Sequence, residues 1–470
     1  MSECGAEQLT SMLMRQREAF ARDGYPPLRV RRDRLDRIGR LLKERRDALC
    51  EAISTDFGNR SHDETDLLEI APLMGALRHT RSHLARWMRP ERRARSLEFL
   101  QLSNRVEYQP LGAIGIMAPW NYPLFLSLGP LVDILAAGNR AMIKPSEHLT
   151  RTSALLAQVI GEYFTPDEVT VVEGGVDVAS AFSRLPFDHL VFTGSTAVGR
   201  KVMAAAADNL TPVTLELGGK SPAIVAPDYP VAKAARDIAF GKLMNAGQTC
   251  IAPDYVLVER EKLEALAEAL IEEAQRFYPP LTAKTHYTSL VGSRAQERLL
   301  RGLRECLERN VKILTATVAR SEHGFAIAPT LLIDPPLDCA LMEEEIFGPI
   351  FPLIPYDSLE DALAFVNARP RPLALYLFTR DKAAERQVLR GTTSGNVTIN
   401  GTLLHVAQND LPFGGIGPSG IGAYHGRDGF VRFSHARGVA KVRLFNPSQL
   451  ATPPYGRITD LLKRFMTRGT

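Results

Sequence analysis

The chain has 470 residues, 45% of them hydrophobic and 23% charged. That balance excludes a disordered chain and leaves room for about two or three domains with sizeable cores. The net charge of +4, from 57 basic and 53 acidic residues, is too mild for the strongly basic footprint of a nucleic-acid binder.

Residues 1–100 read as helical and arginine-rich. In LRVRRDRLDRIGRLLKERRDALCEAI, residues Leu35, Ile38, Leu41, Leu42 and Leu49 fall on one helical stripe. Asp and Glu are interleaved with the arginines, which predicts a solvated helix face rather than a nucleic-acid or membrane patch. His79 and His83 share a helix face at i, i+4, but no third ligand accompanies them, so no metal is expected. From Leu111 to Val132 no charged residue occurs, a length that could span a bilayer. Pro119, Pro123 and Pro130 interrupt it, which predicts strand, loop and buried helix, and no integral membrane segment.

From about residue 105 short apolar strands (AMIKP, VTVVEGG, HLVFTGS, TPVTLELGG) alternate with helices such as TRTSALLAQVIGEYF and STAVGRKVMAAAA. This predicts an α/β fold with a parallel sheet, helices on both faces and ligands at the carboxyl ends of the strands. A second α/β pattern begins near residue 216, with helices KLEALAEALIEEAQRF and LEDALAFVNAR and strands LALYLFT and GNVTIN. The tail PPYGRITDLLKRFM spaces Ile458, Leu461, Leu462 and Phe465 as one amphipathic face. Such a face lies on a membrane surface or, the reading preferred here, packs against the body or a partner subunit.

Five cysteines, at 4, 50, 250, 306 and 339, are scattered without CxxC spacing. They read as free thiols of a reducing compartment, the cytoplasm. The opening MSECGAEQLT carries Glu3 and Glu7 and lacks the apolar core of a secretory signal. Cys250 stands in NAGQTCIAPDY, where Gly247, Gln248 and Thr249 suggest a turn, a setting for a nucleophilic thiol as well as for a small core residue. Glu216, at the end of an apolar strand and before two glycines, is placed for a partly desolvated general base. Asn121, between prolines in APWNYP, is either a turn residue or an amide donor to an oxyanion. In FTGSTAVG, Gly194, Ser195 and Gly199 form a strand, glycine turn and helix start that suits a pyrophosphate, although it is not the GxGxxG fingerprint. Lys144 and Glu147 follow another strand, where a lysine can bond ribose hydroxyls and a glutamate can repel a 2′-phosphate.

Taken in order, PWNYP, AAGN…KPSE, FTGST, LELGGKSP, GQTC, EEEIFGP and LPFGGIGPSG closely resemble the motifs of the NAD(P)-dependent aldehyde dehydrogenase superfamily across nearly the whole chain. NAGQTCIAPDYVLVE resembles its class 3 branch, and TLLHVAQNDLPFGGIGPSGIGAYHG is similar to bacterial coniferyl aldehyde dehydrogenases. The resemblance implies that Cys250 is the nucleophile, Glu216 the general base and Asn121 the oxyanion amide, with the Cys250 N–H as second donor. It places Lys144 and Glu147 at the adenosine ribose, Gly194, Ser195 and Val198 near the pyrophosphate, and Glu345 and Phe347 at the nicotinamide ribose. Ser195 stands where many class 3 members carry Asn, which alters polar contacts near the pyrophosphate. Tyr122 and His405 are candidates to line the substrate funnel.

The resemblance further implies a cofactor domain over 1–215, completed by part of 406–424, and a catalytic domain over 216–405. An oligomerisation arm draws on 102–113 and 425–445, and 446–470 forms the tail. The expected protein is a cytoplasmic homodimer that uses NAD, with NADP open, to oxidise an aromatic coniferyl-type aldehyde to its acid. Medium- or long-chain aliphatic aldehydes are the alternative substrates. A CoA-acylating enzyme is disfavoured by Glu216, whose water-activating role CoA would not need, and an inactive structural relative by the intact Cys250, Glu216 and Asn121.

Overall fold

The computed structural model describes residues 5–96, 99–279, 286–317 and 325–467, so Glu3, Cys4 and the side chain of Phe465 lie outside it. Helices Ala6–Asp23, Leu28–Glu44, Arg46–Phe57 and Ala71–Trp87 open the chain. Leu35, Ile38, Leu41 and Leu42 are buried on the second of these, as the stripe predicts. Leu49 is also buried but belongs to the third helix, because the chain breaks at Arg45 (φ −111).

The basic run is a solvated face only in part: Arg29, Arg40, Lys43, Arg45 and Arg46 are exposed, but others turn inward. Arg31 is buried and donates to the carbonyls of Pro26, Ala136 and Ala137. Two of those carbonyls end helix Pro123–Ala137, where a cation also meets the negative end of the helix dipole. Arg34 and Arg37 clamp Glu168 at 3.1 and 2.7 Å, fastening the helix to the segment before strand Val169–Val171. Burial by itself would raise the Glu168 carboxyl, but the hydrogen bond and charge of Arg37, helped by Arg34, outweigh it and hold the group down to about 2. Unfolded, a glutamate titrates near about 4.3. Its contribution to stability is therefore complete above that value and is lost as pH falls toward 2. Urea unfolding across this acid window is expected to show a flatter pH dependence for Glu168→Gln than for the parent; identical slopes would refute the clamp.

A six-stranded sheet follows, in spatial order Gly420–Ile421, Val213–Leu217, His189–Gly194, Ala113–Met117, Arg140–Lys144 and Val169–Val171. All its pairings are parallel except that of Gly420–Ile421 with Val213–Leu217. A seven-stranded sheet runs Lys312–Thr315, Thr330–Ile333, Ile350–Tyr356, Tyr255–Glu259, Pro222–Val225, Ala374–Phe378 and Asn396–Ile399. It is parallel except at Lys312–Thr315. The α/β class read from alternating strands and helices is the class found. The chain passes between the sheets at residues 218–221, and residues 420–421 return to the first sheet against Glu216 and Leu215.

Between Leu111 and Val132 lie strand Ala113–Met117, a loop and helix Pro123–Ala137. The prolines do not break this helix repeatedly. Pro123 opens it, where no N–H is needed, and Pro130 sits inside it at the cost of one internal hydrogen bond. No helix among the described residues is long and apolar enough to cross a membrane.

A third sheet has three strands, Glu91–Arg93, Leu102–Pro110 and Ser434–Val442. Residues Gly426–Arg432 are helical, with Phe430 buried against Trp87. The tail helix Arg457–Met466 leaves Ile458 62% and Leu461 70% exposed, so these side chains do not pack on the body of their own chain. His79 and His83 stack on each other at 4.3 Å and against Trp87.

Candidate active site

Cys250 follows a tight turn that ends helix Val231–Leu243. Asn245 and Ala246 hold left-handed backbone (φ 55 and 50), conformations that non-glycine residues adopt only when their surroundings enforce them. Gly247 (φ 76) packs so closely on the Gly348 carbonyl that a Cβ would collide with it. Gln248 is buried and fully used: its Nε2 donates to the carbonyls of Asn245 and Ser289, and its Oε1 accepts from Val291 N. Thr249 Oγ1 lies 2.6 Å from the Tyr122 hydroxyl. GQTC therefore encodes a locked turn that presents one thiol.

Burial is the main force raising the Cys250 thiol, followed by the carboxylates of Glu345 and Glu216; the backbone N–H groups of Cys250 and Ile251 pull the other way. Glu216 sits near the end of strand Val213–Leu217 and is 2% exposed. Neither of its carboxylate oxygens has a hydrogen-bond partner among the described residues. Burial pushes its pKa well above the usual carboxylate range, moderated by Arg432. An unpartnered buried carboxyl is costly, and a raised pKa brings it toward the range useful for proton transfer near neutrality. Asn121 is buried and donates from Nδ2 to the Gln248 carbonyl at 3.0 Å. That bond fixes the amide plane and uses one of its two N–H donors.

Two cavities meet at Cys250. One, of about 230 Å³, is walled by Pro119, Trp120, Asn121, Gly194, Ser195, Gly218, Glu345 and Phe347. The other, also about 230 Å³, is apolar and is walled by Leu67, Tyr122, Phe125, Phe240, Leu403 and Phe413, among others. Thr193, Glu216 and Cys250 line both.

The residues expected to hold a cofactor cluster around the first cavity and beyond it. Ser195 caps helix Thr196–Ala207, its Oγ accepting from Val198 N at 3.4 Å. Gly199 is a packing glycine, since a Cβ there would strike Leu217. Val198 lies farther out, on a cavity of about 530 Å³ between helices Val176–Ser183 and Thr196–Ala207. Lys144 ends its strand buried, with Nζ donating to the Pro145 carbonyl at 2.7 Å and lying 3.6 Å from Glu147. Glu345 leans over Gly218 so closely that a Cβ there would collide with its carboxylate. Burial, reinforced by Asp254, raises the Glu345 carboxyl to about 8 against the pull of the Gly219 N–H, Lys220 and Lys242. Phe347 (φ 48) sets its ring edge-on to Trp120 at 5.4 Å.

Tyr122 lines the apolar cavity but His405 does not. His405 is set behind the wall, stacked on Phe413 and bonded through Nδ1 to Thr398 at 2.7 Å. Sequence reasoning missed Trp120, Phe240, Phe413 and the Leu67–Leu68 pair. Of these, only Trp120 carried a local signal, its place inside PWNYP.

Residues 1–439 match the family described as "Aldehyde dehydrogenase family". The chain is 50% identical over 462 residues to a "Probable coniferyl aldehyde dehydrogenase" of Pseudomonas aeruginosa, covering 98% of this chain and 97% of that one. It is 46% identical over 461 residues to the "Coniferyl aldehyde dehydrogenase" of a Pseudomonas species, covering 96% and 95%. Among solved structures it superposes on Staphylococcus aureus AldH in a substrate-bound state with TM-score 0.91 and 35% identity, covering 97% and 99%. It also superposes on a Mycobacterium tuberculosis aldehyde dehydrogenase complexed with NAD+, with TM-score 0.85 and 28% identity, covering 95% and 92%. A thiol on a locked turn, an unpartnered buried carboxyl and paired cavities thus coincide with full-length likeness, and the chain belongs to the aldehyde dehydrogenase family, as an NAD(P)-dependent oxidoreductase.

Proposed function

We propose that this enzyme oxidises an aromatic, coniferyl-type aldehyde to its carboxylic acid with NAD as the preferred acceptor. The observation that carries the reading is that Cys250 and Glu216 lie where the two cavities join. The apolar cavity, with Tyr122, Phe125, Phe240 and Phe413 in its wall, suits a flat ring. The relatives named for coniferyl aldehyde support the choice.

The other cavity fits a nicotinamide cofactor on three features: the cradle over Gly218, the helix start capped by Ser195, and the buried Lys144. Glu345 and Phe347 would hold the ribose beside the nicotinamide, Gly194 and Ser195 the pyrophosphate, Val198 the wall beyond it, and Lys144 and Glu147 the adenosine ribose. The Glu147 carboxylate, 36% exposed beside Lys144, would repel a 2′-phosphate, which favours NAD.

In the mechanism, Cys250 gives up its proton to solvent and the thiolate sulfur attacks the aldehyde carbon. The Asn121 amide and the Cys250 N–H stabilise the resulting alkoxide. A nicotinamide held in the cofactor cavity would accept the hydride from this adduct. A thioester on Cys250 remains. Glu216 takes a proton from water as the water adds to the thioester carbon, and the carbon–sulfur bond breaks to release the acid and the thiolate. The arm and the exposed tail face would join two chains in a homodimer.

Purified enzyme without CoA, assayed with coniferaldehyde, cinnamaldehyde, benzaldehyde, hexanal and decanal, is expected to give its highest kcat/KM on the cinnamyl-type aldehydes and to prefer NAD to NADP. Fastest turnover on decanal would move the substrate to the aliphatic class. A preference for NADP would defeat the role given to Glu147, and an absolute need for CoA would defeat the hydrolytic step.

A further inference from the structure

The side chains that hold Asn121 in place come from outside both sheets. After the single helical turn His62–Thr65 the chain widens into a π turn, Asp66–Ile70, before helix Ala71–Trp87. Such widened turns carry a cost and concentrate at functional segments. This one divides its side chains. Leu67 and Leu68 line the apolar cavity, whereas Glu69 turns inward and is fully buried.

Glu69 Oε2 accepts from the backbone N–H groups of Leu124 and Phe125 at 2.7 and 3.0 Å, and Oε1 accepts from Arg60 at 2.7 Å. Those two N–H groups are free donors at the start of helix Pro123–Ala137, whose own N-cap residue, Tyr122, supplies no side-chain cap. Glu69 thus caps, from a distant segment, the helix that begins directly after Asn121 and Tyr122. Glu64, likewise buried, accepts from Asn245 N at 2.9 Å and from the Thr288 hydroxyl. Asn245 Nδ2 in turn donates to the Asn121 carbonyl at 2.9 Å, and Arg60 reaches the same carbonyl at 3.5 Å. The backbone of Asn121 is therefore gripped by two donors, and each donor is anchored on one of the two glutamates.

We propose that Glu64 and Glu69 are positioning residues that set the Asn121 amide for the oxyanion, an inference that rests on the assignment of Asn121 to that role. Neither glutamate lines the cavity that holds the Asn121 amide. Stability alone is a poor reason for them, because well-packed apolar side chains commonly match or exceed a buried ion pair. A connected network of buried hydrogen bonds, Glu69 to Arg60 and Glu64 to Asn245, does hold a backbone to one geometry, and a donor displaced by a fraction of an ångström loses much of its effect on a developing charge.

The test is a double-mutant cycle read by the rate of the first NADH turnover in stopped flow. Asn121→Ala alone is expected to slow it by about 100-fold. Glu69→Gln keeps a capping oxygen but turns an N–H toward Arg60, and Glu64→Ala removes the anchor of Asn245; each is expected to slow the step by about 10- to 100-fold with KM for NAD unchanged. Glu64→Gln, whose oxygen still accepts from Asn245 N, is expected to restore most of the loss. In the Asn121→Ala background the glutamate substitutions should change the rate by less than about twofold. Losses that multiply with that of Asn121→Ala would overturn the proposal. If Glu64→Ala does not fold, Glu69→Gln carries the cycle alone. Full activity of Asn121→Ala would instead overturn the oxyanion assignment itself, so the two failures are distinct.

Discussion

Cys250→Ala is expected to lower the rate of NADH formation by about 10⁴-fold or more, while NAD still binds. The size follows from the position of the thiol. Cys50, Cys306 and Cys339 are buried away from the two cavities and do not line either one. The nearby hydroxyl of Tyr122 is pushed far up by burial and is poorly suited to act as a nucleophile in its place. Because the sulfur is small and the turn is held by Gln248 and Gly247, the alanine variant should keep its fold and its cofactor cavity. Cofactor titration by fluorescence and aldehyde turnover by absorbance separate the two properties. Turnover within tenfold of the parent would remove Cys250 from the mechanism. The parent enzyme carries a related signature. Burial and the carboxylates of Glu345 and Glu216 push the thiol pKa up, so acylation should speed up as pH rises and slow as it falls.

The parts of this site that were legible in the sequence are those whose meaning is local. Glu216 and Gly194 end apolar strands, and a strand end followed by glycines can be read from a few residues. The turn before Cys250 announced itself in the same way, although its left-handed backbone did not, because Asn245 favours that region only mildly and Ala246 not at all. What was hidden depends on partners far along the chain. The arginines of helix Leu28–Glu44 looked solvated because acids lie beside them in sequence, yet Arg31 is spent on carbonyls at Ala136 and Ala137, and Arg34 on Glu168. Glu64 and Glu69 carry no signal in their local sequence, because their partners, Asn245 and the start of helix Pro123–Ala137, lie far along the chain. His405 shows the converse error. It lies close in sequence to the apolar wall at Leu403, Leu404 and Val406, but its ring stacks on Phe413 behind that wall.

Glu216→Gln is expected to divide the reaction in two. Glutamine keeps the shape of the side chain but cannot take a proton from water. The first turnover should survive, giving a burst of about one NADH per active site, and the steady rate that follows should fall by about 10²- to 10⁴-fold as the thioester accumulates on Cys250. Both oxygens of Glu216 lack partners among the described residues, so the substitution breaks no hydrogen bond described there. It also removes the group whose ionisation burial displaces upward, so the variant should lose the part of the steady-state pH dependence that belongs to hydrolysis and keep the part that belongs to the thiol. Hydroxylamine attacks a thioester without needing a base to activate it, so it should restore turnover in the variant and yield a hydroxamate. A variant with no burst, in which the first turnover slows as much as the steady rate, would place Glu216 in acylation instead. A variant with an undiminished steady rate would take the hydrolytic base away from Glu216 altogether.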